Sequence, residues 1–173
     1  MSSPPFGIQK GISKNDIKVG EELGIFFYEI LDVPKPLPEF PKIYALITPL
    51  HGVCKISAVT KKISTDVQGL RLKNRFETLT NILANKYGKP SIYDDELQFV
   101  DGVSFTWMDQ LLKKEIFLNA SWGKRKNLPN DLTGIFLNVF AEDSCNGNLE
   151  LSYFYDNYDL ANEEIKKLME DVL

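Results

Sequence analysis

The sequence predicts an α+β fold in which an antiparallel sheet of about six strands carries helices packed on one face. Short runs of aromatic and β-branched residues alternate with polar residues and end at turn residues, which is typical of antiparallel strands. One longer segment repeats apolar residues at helical spacing. The connections between the strand-like runs are short, which favours antiparallel neighbours over crossover connections.

Chain length and composition predict one domain over residues 1–173. The 173 residues are 43% hydrophobic and 25% charged, which is enough apolar material for one packed core. A finer division is also open, with sub-units 6–63 and 70–156 followed by a C-terminal helix over 159–173. In that alternative each sub-unit is one α-β-β-β unit.

The first half is expected to begin with a short helix. Ser13 and Asp16 have the spacing of a capping box, which predicts a helix over about 14–23. Three strands should follow it, and a tight turn at His51-Gly52 should join the last two. These strands are expected at 25–33, 43–49 and 53–62.

The second half contains the clearest helix of the sequence. Its apolar residues recur at spacings of four, three, four and four, and Gly88 and Pro90 end it. An acidic loop at 94–96 and a short helix at 107–115 should follow, and Asp159 should begin a last helix. The apolar residues are Leu72, Phe76, Leu79, Leu83 and Tyr87, and the remaining strands are expected at 116–122, 133–143 and 148–155.

Two segments resemble recurrent motifs of small, mostly uncharacterised bacterial proteins. They are Phe6-Gly-Ile-Gln-Lys-Gly-Ile-Ser at the start and Leu83-Ala-Asn-Lys-Tyr-Gly-Lys-Pro at the end of the long helix. The layout of that group is similar to β-lactamase-inhibitor-like domains and to small outer-membrane assembly lipoproteins. The resemblance implies a scaffold that binds rather than one that catalyses. The sequence has neither the signal nor the early lipid-attachment cysteine of the lipoprotein members, so their periplasmic role is not expected.

Charge and cysteine content exclude several classes of function. The net charge of −4 argues against nucleic acid as the main partner, because duplex binding needs a clustered basic face. No apolar run is long enough for a membrane helix, and a secretory signal is missing. Cys54 and Cys145 are expected to be free thiols in the cytoplasm.

No catalytic residue, metal site or cofactor is predicted. His51 is the only histidine, and its place in a turn favours a solvated role over catalysis. One histidine and two distant cysteines do not make an ordinary zinc site. The acidic segment 94–96 with Asp101 lacks EF-hand spacing and is expected to be a solvated loop.

The candidate binding residues are aromatic and basic. A basic loop that follows a tryptophan could meet phosphate or an acidic protein, and exposed aromatic residues are typical of interface hot spots. Packing in the core is the alternative for the aromatic members. The candidates are Trp107, Trp122, Lys124, Arg125, Lys126, Tyr153 and Tyr155.

These observations predict a non-catalytic binding protein of inhibitor, immunity or regulatory type, whose partner is another protein. Two alternatives remain open. One is a small-ligand or nucleotide binder that uses Trp122, Lys124 and Arg125. The other is a carboxylate-dependent enzyme, whose acids would come from a set comprising Asp94, Asp95, Asp101 and Glu142.

Overall fold

The fold is α+β with a large antiparallel sheet, as the sequence predicts. A computed structural model describes residues 3–96, 105–123 and 127–173. The strands follow the order β1-β2-β3-β4-β9-β8-β7-β6, and β5 pairs with β9. They are β1 Val19–Gly24, β2 Phe27–Ile30, β3 Lys42–Thr48, β4 Gly52–Val59, β5 Ile63–Ser64, β6 Ser91–Asp94, β7 Leu118–Gly123, β8 Leu132–Ala141 and β9 Asn146–Tyr155.

The prediction of about six strands is wrong, because the described residues form nine. The additional strands are β1, β5 and β6. Strands β5 and β6 are short, with two and four residues, and β1 and β6 contain glycine or acidic residues that are uncommon in strands. The predicted acidic loop at 94–96 therefore begins inside a strand.

The predicted helix over 14–23 is also wrong, and with it the alternative of two α-β-β-β units. Ser13 does cap a helical turn, since its Oγ accepts the Asn15 N–H at 3.3 Å, but the turn is a 3₁₀ segment that covers only Lys14–Asp16. The chain then enters β1, which pairs antiparallel with β2. Strand pairing satisfies more backbone groups here than a short helix interrupted by Gly20 would.

The chain divides into two compact units, and β4, β7, β8 and β9 contribute residues to both. The first unit comprises Met1–Ala58, Gly123–Ile135 and Ser152–Leu173. Its helix α3, Tyr158–Val172, packs Ala161 against Leu46 and Cys54 of the sheet. The N-terminal segment is tied to β9, because the Tyr155 hydroxyl donates to the Ile8 carbonyl at 2.5 Å.

The second unit comprises Val59–Trp122 and Phe136–Leu151. Helix α1, Leu70–Tyr87, confirms the predicted long helix, and it buries all five residues of the predicted apolar stripe. It ends at Gly88, as the sequence predicts. A shorter helix α2, Trp107–Leu112, begins at Thr106, whose hydroxyl caps it by accepting the Asp109 N–H at 3.2 Å.

Glycine allows α1 to lie close to the sheet at one point. A Cβ at Gly147 would lie 2.7 Å from the Leu72 side chain and 2.4 Å from the Phe140 carbonyl oxygen. Leu72 itself is fully buried. The identity of residue 147 therefore sets how closely the first turn of α1 approaches β9.

None of the helices in the described part of the chain combines the length and apolar character needed to cross a membrane.

Candidate functional site

Strand β6 lies at one end of the strand order and is paired with β7. The register is regular, with Ser91 opposite Ser121 and Asp94 opposite Leu118. One residue further on, the Asp95 N–H donates to the Phe117 carbonyl at 3.0 Å. The pairing therefore extends past the strand itself without a bulge.

The register decides which backbone groups of β6 face away from β7. In an antiparallel pair, opposite residues alternate between bonded and non-bonded pairs. Because Asp95 and Phe117 are bonded, Tyr93 and Ser91 are also bonded to β7. The N–H and C=O groups of Ile92 and Asp94 then point outward, and no other strand in the described residues pairs with them.

The side chains of β6 are exposed on both faces. Ile92 is 58% exposed and Tyr93 is 55% exposed, and Phe117 of the neighbouring segment is also exposed. Tyr93 and Phe117 border a shallow groove together with Asn119 and Ser121. This surface combines apolar contact area with backbone groups that no described strand pairs, which is the composition of a strand-addition site.

The opposite end of the strand order is built differently. Strand β1 pairs with β2 through a register that shifts twice, and it carries the exposed acids Glu21 and Glu22. Bulges and charges are the usual protection of an edge strand against pairing. Among the described strands, β6 therefore has the more receptive edge.

A cavity of about 610 Å³ lies beside β6 in the same unit. Its floor is apolar and includes Phe76, Trp107 and Leu118, all of them buried. Ile92 and Asp94, the residues of β6 whose backbone points outward, also line it. The mouth is acidic, and its carboxylates come from Glu77, Asp94, Asp95 and Glu96.

A lysine already places its ammonium inside this cavity. The Lys73 Nζ lies 4.3 Å from the centroid of the Trp107 ring, which is within cation–π range. Burial lowers the pKa of Lys73, and the nearby carboxylates of Asp94 and Asp66 oppose that shift only in part. The Trp107 face of the cavity thus accommodates a cation.

One buried hydroxyl on the cavity wall is unpaired. Thr80 lines the cavity and is 5% exposed, and its Oγ1 has no hydrogen-bond partner in the described residues. A staggered rotation about χ1 exchanges the hydroxyl and methyl positions of a threonine. Thr80 therefore carries a polar group in the cavity wall whose hydrogen-bonding capacity is not used by the described residues.

Of the predicted binding residues, Trp107 is the one that the structure places at this site. It is 3% exposed, and Gly69 lies against its ring, where a Cβ would be only 2.4 Å from the indole. Trp122 is buried, and its indole N–H donates to the Gly88 carbonyl at 2.6 Å.

Two other predicted binding residues lie elsewhere, and three lie outside the described residues. Tyr153 and Tyr155 are buried in the first unit, so they do not form an exposed aromatic face. Lys124, Arg125 and Lys126 lie outside the described residues. A binding role for these five residues stays a prediction.

The acids proposed for a carboxylate enzyme have separate roles. The Asp95 carboxylate accepts the Phe117 N–H at 2.8 Å and so holds the end of β6. Glu142 forms an exposed ion pair with Lys62 at 3.8 Å. Asp94 lines the cavity, and Asp101 lies outside the described residues.

His51 lies in the predicted turn between β3 and β4, but it is not simply solvated. Its Nδ1 is 2.7 Å from Oε1 of Glu164, a buried residue of α3. A carboxylate only accepts, so Nδ1 carries the proton. Glu164 Oε2 also accepts the Leu50 N–H at 3.0 Å. This pair attaches α3 to the turn. His51 and Glu164 are far apart in the sequence, so no local pattern predicts their contact.

The remaining cavity residues were also missed from the sequence. Lys73, Glu77 and Thr80 lie four and three positions apart on α1, so a polar stripe beside the apolar one was present in the sequence. Such a stripe ordinarily marks a solvated helix face. This face of α1 becomes a cavity wall because α2 and β6 lie beside it in the folded chain.

No protein-family model matches the chain, and neither a curated protein nor a solved structure is significantly similar to it.

Proposed function

We propose that the chain is a non-catalytic binding protein, of inhibitor, immunity or regulatory type, that takes an extended segment of a partner protein onto β6. The outward backbone groups of Ile92 and Asp94 carry this proposal. An added strand would satisfy those groups, and its side chains would contact the exposed residues of β6 and β7. The proposal retains the cytoplasmic setting expected from the sequence.

Peptide selection tests the proposal. Random linear peptides displayed on phage are selected on the purified chain, and the enriched sequences are synthesised and titrated. Ile92→Pro removes one outward donor but leaves the bonds from β6 to β7 in place. We expect it to weaken binding about tenfold, because a backbone hydrogen bond is lost and the proline ring obstructs the edge.

Ile92→Val is the matched control, since it keeps the N–H and most of the apolar surface. We expect its affinity to stay within about twofold of the wild type. Amide resonances of Ile92 and Asp94 should shift most on peptide addition. Peptides that bind Ile92→Pro as tightly as the wild type, or a selection that enriches no peptide, would contradict the proposal.

A further inference from the structure

We propose that the cavity beside β6 is a specificity pocket for a cation, and that the partner segment places a lysine or arginine side chain in it. The inference rests on the proposed function and adds the chemistry of the partner. It is carried by the joint placement of the strand edge, the acidic mouth and the tryptophan that already holds an ammonium.

The pleat of the sheet places the open edge of β6 and the cavity next to each other. Ile92 and Asp94 expose their outward backbone groups and also line the cavity. A strand added to β6 places alternate side chains on the cavity face, about 5 Å from the side chains of Ile92 and Asp94. A partner residue beside Asp94 therefore projects over the mouth of the cavity.

The charge of the described cavity lining favours a positively charged partner side chain. One ammonium, from Lys73, faces four carboxylates, from Glu77, Asp94, Asp95 and Glu96, which gives a formal charge of +1 − 4 = −3. The Asp95 carboxylate also accepts the Phe117 N–H at 2.8 Å, which fixes its position at the mouth. A neutral or acidic side chain would leave this negative charge uncompensated.

Two further observations point to a cation rather than to an acidic surface alone. The contact of Lys73 with Trp107 shows that the indole face accepts an ammonium, and Asp94 lines the same cavity. Thr80, a cavity-lining residue that is 5% exposed, adds a buried hydroxyl that has no hydrogen-bond partner among the described residues. The apolar floor suits the methylene stem that lysine and arginine carry behind their charged groups.

The first experiment compares paired peptides and charge variants. Selected peptides are synthesised in two forms, with lysine or with glutamine at the position where the selection enriches a basic residue. Each form is titrated at low and high salt. We expect Asp94→Asn and Glu77→Gln each to weaken the lysine peptide about threefold and to leave the glutamine peptide unchanged. The preference for lysine should shrink as the salt concentration rises.

Lys73→Met gives a prediction of opposite sign. Removing the internal ammonium relieves its repulsion of the incoming cation, so the lysine peptide should bind several-fold more tightly. Glu115→Gln is the matched control, because Glu115 is exposed in the same unit and does not line the cavity. Its affinity for both peptides should equal that of the wild type.

A second probe tests the pocket without the strand edge. Phenethylammonium, which carries an ammonium on an aromatic body, is titrated while the indole N–H resonance of Trp107 is followed. We expect a saturable shift that weakens in the Asp94→Asn, Glu77→Gln double variant. Neutral phenylethanol should give no such shift.

The outcomes separate the two proposals. Edge-dependent peptides that bind equally well with lysine and glutamine would overturn the pocket and leave the proposed function standing. Peptides insensitive to Ile92→Pro would overturn the proposed function. In that case the phenethylammonium titration alone determines whether the cavity binds a cation. Weaker binding of the lysine peptide to Lys73→Met would show that Lys73 pairs with an anion, and the cation pocket would be wrong.

Discussion

Glu164 remains ionised in a buried position because three groups donate to its carboxylate. Burial opposes ionisation, but hydrogen bonds from Thr48, His51 and the Leu50 N–H outweigh it and hold the pKa of Glu164 below its usual value. Removing a charged partner from such a cluster leaves the other groups without their acceptor. The carboxylate therefore stabilises the attachment of α3 to the turn after β3.

Glu164→Gln should lower the free energy of unfolding by about 2 kcal/mol at neutral pH. A carboxyl group whose pKa is lower in the folded state contributes stability above its unfolded pKa of about 4.3. That contribution is lost as the pH falls through the folded pKa. The difference between wild type and variant should thus be full above about pH 5 and should shrink below about pH 4. Urea unfolding across this pH range measures it.

Glu163→Gln is the control for this prediction. Glu163 is the neighbouring residue on α3 and is exposed. Its substitution should change stability by no more than about 0.5 kcal/mol. A deficit in Glu164→Gln that stayed constant down to acidic pH would show that the lost carboxylate charge is not its cause.

The turn from β3 to β4 depends on one glycine. Gly52 has φ +66°, and a Cβ there would lie 2.3 Å from the Gly11 carbonyl oxygen. The N-terminal segment approaches this closely because the Gly11 N–H donates to the Val53 carbonyl and the Val53 N–H donates to the Ile12 carbonyl. The start of β4, directly after the turn from β3, is therefore in close backbone contact with the N-terminal segment.

Gly52→Ala should therefore destabilise the chain by at least about 2 kcal/mol, since it combines a left-handed conformation with overlap against backbone. Gly24→Ala is the matched control, because its Cβ would meet only Phe27, at 3.9 Å. The melting temperature should fall clearly in the first variant and hardly at all in the second. Equal melting temperatures would mean that the N-terminal segment moves aside at little cost.

At the level of elements, strong periodicity was predictable and weak segments were not. The stripe from Leu72 to Tyr87 identified α1, and the alternation in the second half identified β7, β8 and β9. Strand β6 contains Asp94 and has no buried face, so nothing in its pattern distinguishes it from a loop. The strand at β1 formed because β2 was available as a partner, which is a tertiary effect.

The two cysteines lie in different units and differ in exposure. Cys54 is buried in the first unit, and burial, together with the negative charge of Glu164, raises the pKa of its thiol to about 12. Cys145 is exposed in the second unit. The thiolate is the nucleophile that attacks a thiol reagent, so the two sites should react at very different rates.

We expect a thiol reagent to label one cysteine per folded chain, Cys145, and to label Cys54 only after unfolding. Mass spectrometry after timed labelling measures both sites. The Cys145→Ser variant isolates Cys54, whose labelling midpoint in urea should match the unfolding of the first unit. Rapid labelling of Cys54 in the absence of denaturant would mean that β4 opens locally.

For the molecule as a whole, the class of fold was predictable but the site was not. Trp107 was a candidate from its residue type alone, whereas its partners Lys73 and Thr80 come from a different helix. The outward edge of β6 depends on a register with β7 that no local pattern specifies. A site assembled from α1, α2 and β6 requires the tertiary structure.

The acidic end of β6 also has a consequence for crowded solutions. An open strand edge is complementary to its own copy, so two chains could join edge to edge and bury the surface that we propose for a partner segment. Such a homodimer would bring the acidic groups of Asp94 and its neighbours from both copies together, and their repulsion would disfavour it. The charges that would attract a basic segment would therefore also disfavour edge-to-edge pairing of two copies of the chain.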